Sequence, residues 1–312
     1  MGKWGSLKNK TILITGGTGS LGQELTRQIL QQDPKKVIIY SRGEFLQVEM
    51  RRKFNDDRIR FFIGDVRDCS RLKIALTGVE YILHVAALKG VDTCAYNPFE
   101  AIQTNVIGGQ NVIEAAIDRK VEKVIAISSD KASNPINLYG ATKLCADKLF
   151  IASNAYSGKH GTVFAVVRFG NFIDSNGSVL PYWKALLANG ETILPITDPE
   201  MTRFYIDIET AAKFVLRALA EAKQGETWCP KMDSYSILEL ARSISSTAKI
   251  EYIGKRPGEK KHEDMIVADD ADRTFEFSGH FVVIPEFDWM QTEIPKDGKA
   301  VSDRFQYRSG GD

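Results

Sequence analysis

A doubly wound α/β fold, with a mostly parallel sheet and a smaller, partly interleaved second lobe, is predicted by three observations. Short, near-continuous apolar runs recur along the first half of the chain. Longer amphipathic stretches separate them, and a glycine-rich turn follows the first run. Apolar runs without alternation mark strands buried on both faces, as in parallel sheets. Right-handed crossovers through the intervening helices then wind the sheet in both directions.

The elements follow in order. Thr11-Ile12-Leu13-Ile14 reads as the first strand, with a helix from about Ser20 to Gln32 after the glycines. Val37-Ile38-Ile39-Tyr40 and Ile59-Arg60-Phe61-Phe62-Ile63 read as the second and third strands. Tyr81-Ile82-Leu83-His84-Val85 is the fourth, before a helix from about Asn97 to Arg119. Val124-Ile125-Ala126-Ile127 is the fifth, Leu138 to Ala155 a helix, and Val163-Phe164-Ala165-Val166-Val167 the sixth. Past Arg168, Gly, Pro and polar residues crowd 170–181 and 189–199, and helical patterns return at about Glu209–Lys223 and Ser236–Ser246. Beyond about Lys255 the chain reads as irregular, ending in a flexible tail at Ser309-Gly310-Gly311-Asp312. The expected division is a dinucleotide-type domain of 1–170 plus about 205–228, and a lobe of about 171–204 and 229–312.

The balance of 41 basic and 40 acidic residues in 312, a net charge of +1, carries no footprint for nucleic acid or anionic membrane. No apolar run approaches the roughly 20 residues of a spanning helix. Met1–Lys10 is polar, with no signal-like core, so a cytoplasmic protein is expected. Cys69, Cys94, Cys145 and Cys229 are unpaired in spacing, as are His84, His160, His262 and His280. His262-Glu263 has no second ligand a helical turn away, so no metal site is expected.

Thr15-Gly16-Gly17-Thr18-Gly19-Ser20-Leu21-Gly22 follows a strand and opens a helix. Gly16 allows a tight turn, Gly19 lets backbone approach a pyrophosphate, and Gly22 permits close packing. The helix N-terminus then offers its N–H groups to the phosphates. The second strand ends Tyr40-Ser41-Arg42, without the acid that holds an NAD ribose. Ser41 and Arg42 suit a 2′-phosphate instead, so NADP is the expected cofactor. Asp65-Val66 suits an adenine edge, though Gly64-Asp65 equally suits a turn.

The fifth strand runs into Ser128-Ser129-Asp130-Lys131, and Tyr139 and Lys143 follow at i and i+4 on one helix face. A phenol beside an ammonium and a cationic nicotinamide is expected to titrate below its usual value near ~10. Tyr139 is then a base for an alcohol proton, with Ser129, or Ser128 in its place, hydrogen-bonding the same oxygen.

These residues resemble the extended short-chain dehydrogenase/reductase family, whose Rossmann members act mostly on nucleotide sugars. The segment Asp130-Lys131-Ala132-Ser133-Asn134-Pro135-Ile136-Asn137-Leu138-Tyr139 is similar to that of inverting UDP-N-acetylglucosamine 4,6-dehydratases, enzymes of pseudaminic acid and related surface-sugar pathways. Ala86-Ala87-Leu88-Lys89, Arg168-Phe169-Gly170-Asn171, Met201-Thr202-Arg203-Phe204 and Arg256-Pro257-Gly258-Glu259-Lys260 extend the likeness from about Lys8 to Glu263. The resemblance implies oxidation at carbon 4, loss of water across carbons 5 and 6, and return of hydride to carbon 6. It implies Lys131 as base, neutral through a lowered pKa, and Asp130 as a protonated acid. It associates Lys131, where retaining relatives generally carry glutamate, with inversion at carbon 5. It further implies Arg203, Arg256 and Glu259 as a nucleotide clamp, Asn171 and Lys89 at the sugar, Ala86 and Ala87 at the cofactor, and a homo-oligomer, dimer or hexamer.

The chain departs from the family pattern at Gly43, Gly90-Val91-Asp92, Ala95 and Phe172-Ile173-Asp174, which leaves the exact sugar open. Two other functions compete. A 4-epimerase or reductase would need only Tyr139 and Lys143. A silent dinucleotide-binding regulator would need neither.

Overall fold

The computed structural model describes residues 7–158, 161–173, 179–287, 290, 294 and 296–311. His160, Asp174, the Met1–Ser6 part of the N-terminal reading and Asp312 of the expected tail lie outside the described residues.

The first half alternates as expected. β1 (Thr11–Thr15), α1 (Ser20–Leu30), β2 (Lys36–Ser41), α2 (Glu44–Phe54), β3 (Ile59–Ile63) and α3 (Cys69–Ala75) come first. β4 (Tyr81–His84), α4 (Val91–Tyr96), α5 (Pro98–Ile102), α6 (Gly108–Asp118), β5 (Lys123–Ser129), α7 (Leu138–Ala152) and β6 (Val163–Phe169) follow. Strand pairing is parallel from β3 through β2, β1, β4 and β5 to β6. Leaving β1 for β2 and returning to β4 on its other side makes a switch point beyond the ends of β1 and β4. Ligands of open α/β sheets bind in such a crevice.

β1, β2, β4, β5 and β6 are buried nearly throughout, which explains their unbroken apolar runs, whereas the edge strand β3 leaves Arg60 and Ile63 exposed. Ile12 and Ile14 pack with Leu21, Leu25 and Ile29 of α1 on one face. Leu13 packs with Leu72 of α3 and with Val112 and Ile113 of α6 on the other.

The second half is β7 (Asn171–Phe172), α8 (Val179–Ala188), β8 (Ile193–Ile196), β9 (Thr202–Ile206), α9 (Ile208–Glu221), β10 (Thr227–Pro230), β11 (Asp233–Ser236) and α10 (Ile237–Ile244). The short strands β12 (Lys249–Tyr252), β13 (Asp264–Ile266), β14 (Thr274–Glu276), β15 (His280–Val283), β16 (Lys299–Ala300) and β17 (Tyr307–Arg308) complete it. A small core of Leu180, Trp183, Leu194, Ile196 and Ile237 holds α8, β8 and α10 together.

Three expectations need correction. The single helix expected from Asn97 to Arg119 is α5 and α6 joined by a π-helical turn at Gln103–Ile107. The wide turn places Asn105 so that its side chain bonds the Leu88 N–H (2.8 Å), the Leu88 carbonyl (2.9 Å) and Thr142 Oγ1 (3.0 Å), a pairing that holds the post-β4 loop against α7. The region past Lys255 is not irregular: β14, β15 and β16 extend the large sheet antiparallel beyond β10, so the range 229–312 is shared between sheet and lobe. The tail is packed. Ser309 is 3% exposed, and its Oγ accepts the Glu263 N–H at 2.9 Å, because β17 pairs with β13 and carries it inward.

Candidate active site

The glycine turn closes against the end of β4. Gly16 has φ +66°, and a Cβ there would meet Ala86 N at 2.9 Å. Gly22 sits on Gly17, where a Cβ would lie 2.5 Å from its Cα, so α1 starts directly on the loop. Thr15 Oγ1 bonds His84 Nδ1 at 2.8 Å and accepts the Ala86 N–H at 3.2 Å, linking the two strand ends. α1 begins at Ser20 with no side-chain cap, so Ser20, Leu21 and Gly22 present amides without intrahelical acceptors.

Tyr139 and Lys143 lie in the first turns of α7. Asn137 caps the helix, its side chain accepting from Gly140 N–H at 2.8 Å, while its Nδ2 donates to the Gly258 carbonyl at 2.8 Å. The second-lobe loop is thereby tied to the start of α7. Both side chains are buried, Tyr139 at 8% and Lys143 at 4% exposure. Lys143 Nζ donates to the Ile127 carbonyl at 2.7 Å. Burial lowers its amine below the ordinary range, against the pull of Asp147. Burial also pushes the Tyr139 phenol up to about 12, outweighing the Lys131 charge and the Ser129 hydroxyl that favour phenolate. The expected depression of this phenol is therefore not a property of the chain by itself: desolvation wins.

Ser129 ends β5, and its Oγ donates to Asp130 Oδ1 at 2.8 Å. Asp130 is fully buried, and its Oδ2 has no hydrogen-bond partner among the described residues. Lys131 Nζ faces three oxygens: Asp130 Oδ1 at 3.0 Å, Glu263 Oε1 at 3.3 Å and Asn171 Oδ1 at 3.4 Å. An ammonium has three donors, and each finds an acceptor. Burial works against the charge, but Asp130 and Glu263 outweigh it, so the amine is held above its ordinary range. This corrects the expectation of a lowered Lys131 pKa. The carboxylates of Asp130 and Glu263 outweigh both burial and the opposing charge of Arg203.

Residues 12–285 match the family described as polysaccharide biosynthesis protein. The chain is also 46% identical to the UDP-N-acetylglucosamine 4,6-dehydratase (inverting) of Campylobacter jejuni, across 96% of this chain and 92% of that protein. The chain belongs to the polysaccharide biosynthesis protein family. A UDP-glucose 4-epimerase of Rickettsia akari is 38% identical across 93% of this chain and 84% of its own length. Among solved structures, Pen from Bacillus thuringiensis superposes with a TM-score of 0.92 at 38% identity, covering 97% of this chain and 93% of that one. The fold shared with it is the doubly wound Rossmann type.

Not every expected site residue of this polysaccharide biosynthesis protein faces a ligand. Arg203 is 7% exposed, and its guanidinium bonds the Thr202 carbonyl (2.7 Å), the Lys261 carbonyl (3.2 Å) and Met201 Sδ (2.9 Å). It is turned inward, 3.7 Å from Glu263, because a buried guanidinium must satisfy its N–H groups. Glu259 Oε2 accepts the Arg256 N–H at 3.2 Å, so this acid closes its own loop, while Arg256 is exposed. Ser41 is buried, with Oγ accepting from Gln47, and Arg42 is exposed 3.9 Å from Asp65. Asp65 is ionised against burial by its hydrogen bonds from Arg67, and the adjacent Val66 is buried. Lys89 and Ala87 lie beyond β4, Lys89 exposed. Beside Tyr205, a cavity of about 1060 Å³ opens between α8 and α10, lined by Ile173, Leu180, Lys184 and Tyr235.

Glu263 carries no role in the sequence reading, yet it completes the Lys131 cluster. Nothing in its immediate sequence marks it: Glu263, Met265 and Ile266 are all buried, so no polar–apolar alternation signals its inward placement.

Proposed function

We propose that the chain is an NADP-dependent, inverting UDP-N-acetylglucosamine 4,6-dehydratase of the cytoplasm. Its product is a UDP-2-acetamido-2,6-dideoxy-hexos-4-ulose for bacterial surface-sugar biosynthesis. The observation that carries this reading is the buried Asp130–Lys131 pair, with its N···O contact of 3.0 Å, placed on the turn before Tyr139. An oxidoreductase acting only at carbon 4 has no use for a second acid–base pair there.

The glycine turn fits a pyrophosphate: it is closed on Ala86 and presents unpaired amides. Thr15, Gly16, Gly19, Ser20, Leu21 and Gly22 would hold the diphosphate, with Ala86 and Ala87 alongside. Ser41 and Arg42 would hold the 2′-phosphate, and Asp65 and Val66 the adenine side. Bound NADP would accept and return the hydride. Tyr139 takes the carbon-4 hydroxyl proton, with Ser129 hydrogen-bonded to the same oxygen and Lys143 behind the phenol. Elimination then needs a neutral Lys131 to remove the carbon-5 proton and a protonated Asp130 to release the carbon-6 hydroxyl as water. The observed ion pair already holds that number of protons, so one transfer across 3.0 Å converts resting pair into working pair. Asn171, Lys89, Arg256 and Glu259 are proposed at the UDP-sugar, beside the cavity between α8 and α10. Arg203 supports the cluster from behind. Tyr96 and Phe99, 88% and 65% exposed, support a homo-oligomer, dimer or hexamer.

Two observations favour a 4-epimerase instead: Lys131 rests as a paired ammonium, and the Rickettsia akari relative is an epimerase. Lys131→Ala separates the two. As a dehydratase, the variant loses water release by at least about 100-fold while retaining transient cofactor reduction. As an epimerase, it keeps full turnover on the UDP-sugar.

A further inference from the structure

Glu263 is 2% exposed, and no hydrogen bond from the described residues reaches its Oε2. Its place is set by the C-terminal segment. Ser309 Oγ accepts the Glu263 N–H at 2.9 Å, and the Ser309 N–H donates to the Glu263 carbonyl at 2.9 Å. A buried carboxylate so sparsely hydrogen-bonded is stabilised mainly by the charges around it. From the turn after β5 comes Lys131 at 3.3 Å, from β9 Arg203 at 3.7 Å, and from its own segment Lys260 at 4.0 Å. Asp130 opposes from the far side of Lys131, and Asp264, paired with Arg308 of β17 at 3.5 Å, opposes from β13. The phenols of Tyr139 on α7 and Tyr205 on β9 lie within reach of the same charges.

We propose that Glu263 is a positioning residue for elimination: it holds Lys131 Nζ against Asp130 Oδ1 and governs the proton transfer between them. In that transfer a Lys131 N–H bond breaks, an Asp130 O–H bond forms, and the two opposite charges cancel without any movement of electrons between partners. The carboxylate of Glu263 favours the ammonium, so removing its charge lets the pair lose its shared proton to solvent at lower pH. The assignment rests on the dehydratase activity proposed above.

The test is Glu263→Gln, which keeps shape and removes charge, with dehydration of UDP-N-acetylglucosamine followed from about pH 6 to about pH 10. Wild type is expected to stay level through the alkaline half. The variant is expected to fall there, with a midpoint lower by at least roughly one pH unit, and Glu263→Asp to restore the level profile. A uniform loss at all pH values, or no change, overturns the proposal. Competitive acetylation of Lys131, whose side chain is 19% exposed, reads the same property without activity. In wild type its onset is expected no lower than about pH 10. An earlier onset overturns the proposal even if Glu263→Gln does not fold. Absence of water release by wild type defeats the dehydratase assignment, while the acetylation profile still decides the hold of Glu263 on Lys131.

Discussion

His280 illustrates how single side chains tune this molecule. It is 1% exposed, stacked between Trp228 at 4.5 Å and Phe277 at 4.7 Å, and neither ring nitrogen has a hydrogen-bond partner among the described residues. Burial lowers its pKa from 6.5 to about 4, and burial lowers that of His84 from 6.5 to about 3. Both rings are neutral when folded, whereas the unfolded chain takes up their protons below about pH 6.5. Their contribution is therefore complete above that pH and is lost as pH falls towards about 4. His280→Phe is expected to gain stability relative to wild type as pH falls through this window, read from urea midpoints. A pH-independent difference would contradict the neutral-core role. At this scale, legibility depended on whether partners were close in sequence. Tyr139 and Lys143 share one helix face and were readable from spacing. Glu263 meets Lys131 only through the fold, and an isolated acid reads as solvated surface. Arg203 shows the converse: charge type alone does not tell that its guanidinium turns inward to the Thr202 and Lys261 carbonyls.

The decisive contact between elements is that of α7 with the turn carrying the acid–base pair. A Cβ at Gly140 would lie 2.2 Å from the Lys131 carbonyl oxygen, so the helix rests on the turn with no room between them. Gly140→Ala must push the turn or the helix aside and separate Tyr139 from Asp130 and Lys131. Turnover is expected to fall by on the order of 100-fold while the nicotinamide dinucleotide still binds, since the glycine turn is untouched. Unchanged turnover would contradict this packing. The helix itself and the strand before it were legible because both are long and strongly patterned. The π-helical turn at Gln103–Ile107 was not, since its signature is one wide turn within a continuous helical pattern. Strands β14 to β16 span two to four residues among glycines and charges, too short for any period to register.

Across the whole molecule, a sheet covered on both faces presents the ends of β1, β4 and β5 to one crevice, and the C-terminal segment closes on it from outside. The parallel half was legible because two-sided burial imposes unbroken apolar runs. The path by which β13 and β17 bring Glu263 and Ser309 to that crevice was not, because polar, loop-rich sequence carries no record of what it packs against. Near-neutral charge is consistent with this arrangement, since the charges that matter are paired in one buried cluster of Asp130, Lys131, Arg203, Lys260 and Glu263. The central claim is that oxidation at carbon 4 is followed by elimination at this pair. Incubation of the holoenzyme with UDP-N-acetylglucosamine in deuterated water, followed by mass and NMR analysis of the product, tests it most directly. The expected product has lost one water and carries solvent deuterium at carbon 5 with inverted configuration. A product that retains its water would contradict the account.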